Sequence, residues 1–268
     1  MAATVVGAVA YSANVVPIWD GMRDYFSGAG LDMDYILFSN YERQVDALLR
    51  GHIDIAWNTN LAWVRTVGLT QGRCRALAMR DIDIAFRSFF VKRAGEPIAG
   101  LEDLRGRRIA LGSRDSAQAA ILPLHFLQKA GLDAGVTVLR YDRDAGKHGD
   151  TGRSELDALR AVLEGDADAA AIGVTTWKAV GRDDLMKGTI EPFWESPAYC
   201  HCNFTVTELD PDRADAWTDT LLAMDWDDPE HRRIMEMEGL ERRWVRAQLD
   251  GYASLFQAVE EQGIRLRW

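Results

Sequence analysis

Uninterrupted apolar residues over Val5 to Ala10 predict a strand buried on both faces, and apolar positions at helical spacing from Ile18 to Phe26 predict a helix that Gly28 and Gly30 end. Met33 to Phe38 reads as a second strand, Glu42 to Arg50 as a helix stopped by Gly51, and Ile53 to Trp57 as a third strand. The unit is βαβαβ. The same order returns further on: strand Arg108 to Leu111, helix Ser116 to Ala130, Gly131, strand Val136 to Leu139, helix Glu155 to Glu164, Gly165, strand Asp168 to Ile172. The two endings can be superposed residue by residue, Ala47-Leu48-Leu49-Arg50-Gly51-His52-Ile53-Asp54-Ile55-Ala56 on Ala161-Val162-Leu163-Glu164-Gly165-Asp166-Ala167-Asp168-Ala169-Ala170. The second copy is longer by roughly ten residues, which fall in the polar, glycine-rich stretch Tyr141 to Arg153 and mark it as a surface loop.

Two similar α/β lobes in one chain need connections. The extended run Ile84 to Lys92 is expected to leave the first lobe and Asn203 to Leu209 to return to it. The resulting division is residues 1–84 with 209–268 as lobe one, 93–202 as lobe two, and 85–92 and 203–208 as hinge crossings, with the helical C-terminal stretch packing on lobe one. A length of 268 residues suits two lobes that each bury a core. In open α/β sheets ligands bind beyond the carboxyl ends of the strands, so the site is expected in a cleft lined by those loops of both lobes.

Composition narrows the classes. Hydrophobic residues at 47% and charged residues at 27% are those of an ordinary globular chain, with no apolar run of membrane-spanning length. A net charge of -10 argues against nucleic acid as a partner, since such binding rests on a basic face. The first residues carry no Lys or Arg ahead of their apolar stretch, and three cysteines are an odd count for an oxidising compartment. The cytoplasm is therefore the expected location, and the periplasm the alternative if an export signal once preceded the chain.

Candidate ligand contacts sit in the loops after predicted strands. Tyr11 and Ser12 follow the first, Asn40 and Tyr41 the second, and Asn58, Thr59 and Asn60 the third. In the second lobe Ser113, Arg114, Ser116 and Gln118 combine a turn, hydroxyls and a helix N-terminus, where unpaired N–H groups favour an anion. Arg153 opens the next helix, and Tyr199 precedes the return segment. The same residue types also serve as plain helix caps and turn formers. Trp19, Trp57, Trp63 and Trp194 are candidate aromatic walls. In Tyr199-Cys200-His201-Cys202-Asn203, strand alternation is expected to put His201 on one face and both cysteines on the other. No cofactor is expected; zinc or iron held by Cys200 and Cys202 is the alternative.

The repeat, the two crossings and the helix-Gly-x-x-Asp ending of each lobe resemble the type II periplasmic solute-binding proteins of ABC transporters, especially the phosphonate-binding branch. Gly112-Ser113-Arg114-Asp115-Ser116 is similar to that branch's phosphate-binding turn, Gly149 to Ala170 to its loop-helix segment, and Leu101-Glu102-Asp103-Leu104-Arg105-Gly106-Arg107-Arg108-Ile109-Ala110 to its lobe entry. The resemblance implies a two-lobed, hinged α/β receptor closing on a small phosphonate-, phosphate- or carboxylate-bearing ligand, with an ABC permease as partner if exported and no membrane insertion of its own. Tyr199 to Val206 bears a weaker similarity to the cysteine segment of the thiamine pyrimidine synthases, cytoplasmic enzymes on this fold, although Asn58 to Thr70 lacks the histidine that group supplies there. An enzyme, lyase-like or biosynthetic, would use His201 or His148 to move a proton.

Overall fold

The computed structural model describes residues 3–132, 134–184 and 186–267. The chain divides into two compact units, Met1–Ala85 with Tyr199–Tyr252 and Arg265–Trp268, and Phe86–Ala198 with Ala253–Ile264.

The first unit begins β1 (Thr4–Val9), α1 (Val15–Gly28), β2 (Met33–Phe38), α2 (Tyr41–Leu49), β3 (Ile55–Asn58), α3 (Asn60–Thr70), β4 (Arg75–Ala76) and β5 (Ala78–Arg80). Its sheet has the order β2-β1-β3-β11-β4, where β11 is Asn203–Val206, parallel between β1 and its two neighbours and antiparallel at β11. The helical spacing in α1 puts Val15, Ile18, Trp19, Met22 and Phe26 on one buried stripe. Phe26 stacks on Trp217, their ring centroids 5.1 Å apart, and Phe204 of β11 meets Trp57, Trp217 and Trp244 in the same core.

The second unit holds β6 (Ser88–Arg93), β7 (Arg108–Leu111), α4 (Leu122–Lys129), β8 (Thr137–Arg140), α5 (Arg153–Glu164), β9 (Ala169–Gly173), α6 (Val174–Val180) and β10 (Ile190–Glu195). Its sheet runs β10-β6-β9-β7-β8, again parallel around its first α/β strand and antiparallel at β6. Read from β8, this is the order of the first unit. The repeated ending has one physical job in both: Asp54 Oδ2 accepts the N–H of Val5 and Asp168 Oδ2 that of Arg108, each at 2.8 Å. In each unit the aspartate thereby joins the start of the third repeat strand to that of the first, and Gly51 (φ 68°) and Gly165 (φ 82°) supply the left-handed residue that ends the helix before it.

Three boundaries differ from the sequence reading. Ser88–Arg93 is a strand of the second sheet and Asn203–Val206 a strand of the first, so residues 85–92 and 203–208 are not free crossings; the chain passes between units at 85/86, 198/199, 252/253 and 264/265. An extended apolar run reads alike whether it bridges or pairs. After α7 (Pro211–Leu222), α8 (Pro229–Glu238) and β12 (Trp244–Arg246), which pairs with β5, the last helix α9 (Ala253–Glu261) joins the second unit rather than lobe one. It buries Leu255, Ala258 and Val259, and Glu261 holds the Nδ1 of buried His125 on α4 at 2.6 Å.

Candidate functional site

In the second unit, the carboxyl ends of β7 and β9 and the start of α5 converge on a buried polar cluster: Ser113, Ser116, Gln118, Asp144, His148, Ser154 and Glu155. Ser116 closes a turn with its N–H on the Ser113 carbonyl at 2.8 Å, and its Oγ accepts from Ala119 N at 3.2 Å. The Ser116 carbonyl then takes both Ala120 N and Ile121 N, which opens Ala117–Ile121 into a single π turn ahead of α4. Such π turns recur at functional sites because they re-aim the first helical N–H groups. Ser116 Oγ thus acts as an acceptor, and among the described residues no hydrogen bond takes up its proton.

The longer loop, residues 141–152, folds over this turn. Asp144 receives the Ser113 hydroxyl, the Thr151 hydroxyl at 2.7 Å and Ser154 N at 3.5 Å. Burial alone would raise this carboxyl, but the donors from Ser113, Ser154 and Thr151 hold it below its ordinary value. His148, with φ 52° and fully buried, lies 4.0 Å from Asp115 through Nε2. Gly149 (φ 83°) comes so near Ser116 that an added Cβ would stand 2.5 Å from Oγ and 3.0 Å from Gln118 Nε2. Beneath, Gln118 donates to Glu155 at 3.2 Å and Gly173 N to the other Glu155 oxygen at 2.8 Å. With no cation among these partners, burial raises the Glu155 carboxyl. Ser154 Oγ is buried and pressed against Gly112, where a Cβ would come within 3.0 Å.

Two other expected contacts of this unit stand apart. Arg114 forks onto Asp142, which keeps its guanidinium charged, and is mostly exposed; Arg153 is exposed at the first position of α5. Ser113 gives its proton to Asp144, so it latches the loop.

In the first unit Asn58 and Thr205 belong to a directed hydrogen-bond chain. Gln44 Nε2 donates to Asn58 Oδ1 (2.9 Å), Asn58 Nδ2 to Thr205 (3.0 Å), Thr205 to Asn203 (2.7 Å), Asn203 Nδ2 to the Tyr252 hydroxyl (2.8 Å), and Tyr252 to the His201 carbonyl (2.9 Å). Thr59 caps α3 through Ala62 N, and Asn60 turns its oxygen to Leu61 N while its buried Nδ2 has no hydrogen-bond partner among the described residues. Asn40 caps α2; Tyr41 and Tyr199 are core residues, Tyr11 is half-buried and Ser12 exposed. Trp19, Trp57 and Trp63 are core residues packed against aromatic rings of this unit, and Trp194 is partly buried against those of the second. A concavity of about 740 Å³ beside α2 and the end of α3, lined by Arg43, Asp46, Arg73 and Glu208, holds none of the expected contacts.

The Tyr199 to Asn203 segment departs from the expected alternation. Residues 200–202 precede β11 and are not extended in a ladder, so His201 Nδ1 comes to 3.0 Å from Cys202 Sγ instead of facing away. Its partner is Asp83, 3.5 Å from Nδ1 and itself forked by Arg80 at 2.7 and 2.9 Å. Burial depresses the His201 pKa against the opposing pull of Asp83. Arg80, Asp83, Asp144, Thr151 and Glu155 were not singled out in the sequence. Each has a partner distant in sequence or depends on one, 31 positions away for Ser113 and Asp144, 37 for Gln118 and Glu155 and 158 for Arg80 and Glu238, and no local pattern announces them.

The comparisons with known proteins agree with this architecture. Residues 6–252 match the family model for the periplasmic substrate-binding protein of phosphonate ABC transporters. A probable ABC transporter phosphite binding protein, PhnD1, of Prochlorococcus marinus (strain MIT 9301) is 25% identical over 248 residues, 88% of this chain and 79% of the relative. The structure of PhnD1 from Prochlorococcus marinus (MIT 9301) with methylphosphonate superposes with a TM-score of 0.72 at 20% identity, covering 97% of this chain and 98% of that one. XAC2383 from Xanthomonas citri bound to ATP gives 0.73 at 18% identity over 97% and 98%, and the aliphatic sulphonate binding protein SsuA of Escherichia coli 0.63 at 15% over 99% and 88%. The fold is that of a type II periplasmic binding protein, and the chain belongs to the family of periplasmic substrate-binding proteins of phosphonate ABC transporters.

Proposed function

We propose that this protein is the receptor of an ABC transporter for a small phosphonate- or phosphite-class anion, and that its second unit holds the anionic head. One observation carries the assignment. The Ser116 hydroxyl, with its proton unspent, sits at the N-terminus of the turn leading into α4, beneath the loop that carries His148 and Gly149. A tetrahedral oxyanion there gains the hydroxyl, the Gln118 amide and the positive end of the helix dipole without any cationic side chain, as anion sites at helix N-termini do. The relatives' printed ligands, phosphite and methylphosphonate, are of this class.

The receptor reading takes an ABC permease as its partner, and the family's description favours the periplasm over the cytoplasm expected from the cysteines and the opening residues. The enzyme alternative draws no support from the family. The test is isothermal titration with methylphosphonate, phosphite, phosphate and methanesulfonate. One-to-one binding of a phosphorus oxyanion is expected, weakened about 10- to 150-fold in Ser116→Ala by loss of one hydrogen bond to a charged group. Equal affinity in Ser116→Ala would remove this turn from the site.

A further inference from the structure

We propose that Asp83, His201 and Cys202 form a binding site for a divalent transition metal of the zinc class in the first unit, separate from the anion cluster of the second. Their ligand atoms all lie within 4.8 Å of one another and all three residues are buried. Nδ1 of His201 is 3.0 Å from Cys202 Sγ and 3.5 Å from Asp83 Oδ1. A tetrahedral ion with bonds of about 2.0 to 2.3 Å separates its ligands by about 3.3 to 3.7 Å; the two distances from His201 Nδ1 fall within a few tenths of an ångström of this range, and closing the Asp83–Cys202 pair takes a shift of at most about an ångström. Thiolate, imidazole and carboxylate together suit zinc or cobalt(II) and do not suit magnesium or calcium, which take oxygen. The second cysteine of the segment borders the same place, with Cys200 Sγ 3.8 Å from the carbonyl of Ile84, the residue after Asp83.

Arg80 is the obvious objection, since its guanidinium already forks onto Asp83. The structure supplies a second partner for it. Among the described residues Glu238 Oε1 is buried without a hydrogen bond, 4.0 Å from Nη1 of Arg80. A metal on Asp83 Oδ1 therefore leaves Arg80 held by Oδ2 and by Glu238, the outer arrangement that orients ligating carboxylates. With Asp83, Glu238 and the Cys202 thiolate set against Arg80 and a doubly charged ion, the buried charges sum to zero, as a water-excluding site requires.

The experiment is titration of the metal-stripped, folded protein with cobalt(II), read by thiolate-to-cobalt absorption in the near ultraviolet, with zinc as competitor. One equivalent of cobalt is expected, displaced by zinc. The band is expected to be lost, or its affinity cut at least about tenfold, in Cys202→Ser and in His201→Gln, and retained in Cys74→Ser, whose thiol lies outside the cluster. Circular dichroism confirms that each variant is folded, and His201→Gln stands in if Cys202→Ser does not fold. Absence of a band in folded wild-type protein, or a band that survives in Cys202→Ser, overturns the site.

Discussion

Glu155 is a buried carboxyl with hydrogen-bond donors but no cation. Its folded pKa is raised by burial, so it favours the protonated form, and the stability this gives is full below the unfolded value and lost as pH rises through the folded one. Glu155→Gln, which stays neutral, is therefore expected to gain stability relative to wild type as pH rises from the ordinary carboxyl range toward the raised folded value, by at most about 1.4 kcal/mol per pH unit. Denaturant titration at several pH values checks this; a constant difference would contradict it. His148 offers a separate test, since its φ of 52° is a conformation that glycine adopts without strain. His148→Gly is expected to be more stable than His148→Ala by roughly 1 kcal/mol, while both lose ligand affinity. At this scale the sequence was partly legible. Ser116 was visible because a serine before a helix has local meaning, whereas Asp144 acquires its role only when Ser113 and Thr151 fold against it.

Among the elements, the repeated Gly-x-x-Asp ending carries the same geometry twice. Asp54→Ala and Asp168→Ala each leave an N–H at the start of a central strand without its carboxylate and are expected to cost about 1.5 to 3 kcal/mol, the scale for a hydrogen bond to a charged group. Similar losses in thermal unfolding would show that the repeat is mechanical; a loss confined to one copy would contradict equivalence. The strands and helices of both repeats were legible from apolar periodicity. The partners of Ser88–Arg93 and Asn203–Val206 were not, because pairing with a distant strand leaves no mark in the extended segment itself. Nor does periodicity say which unit receives α9. Leu255, fully buried on its inner face, makes the assignment testable: Leu255→Ala is expected to cost about 2 to 5 kcal/mol, and hydrogen exchange should rise in α4 of the second unit.

For the whole molecule, two units with one strand order, each with polar residues at the carboxyl ends of its parallel strands, are the features that the sequence repeat foretold. Family membership rests on residues 6–252, nearly the full chain, and extends the resemblance seen in the Gly112 to Ser116 turn and the Gly149 to Ala170 segment. What stayed hidden was which groups of the second unit would hold the proposed anion. Arg114, the apparent anion partner, is spent on Asp142, and the candidate donors are hydroxyl, amide and backbone groups. The most direct measurement is calorimetric titration of the folded protein with methylphosphonate, alongside Ser116→Ala and Arg114→Ala. Saturable one-to-one binding, weakened at least about tenfold by Ser116→Ala and little changed by Arg114→Ala, is the expected result. Binding that depends on Arg114 and ignores Ser116 would contradict it.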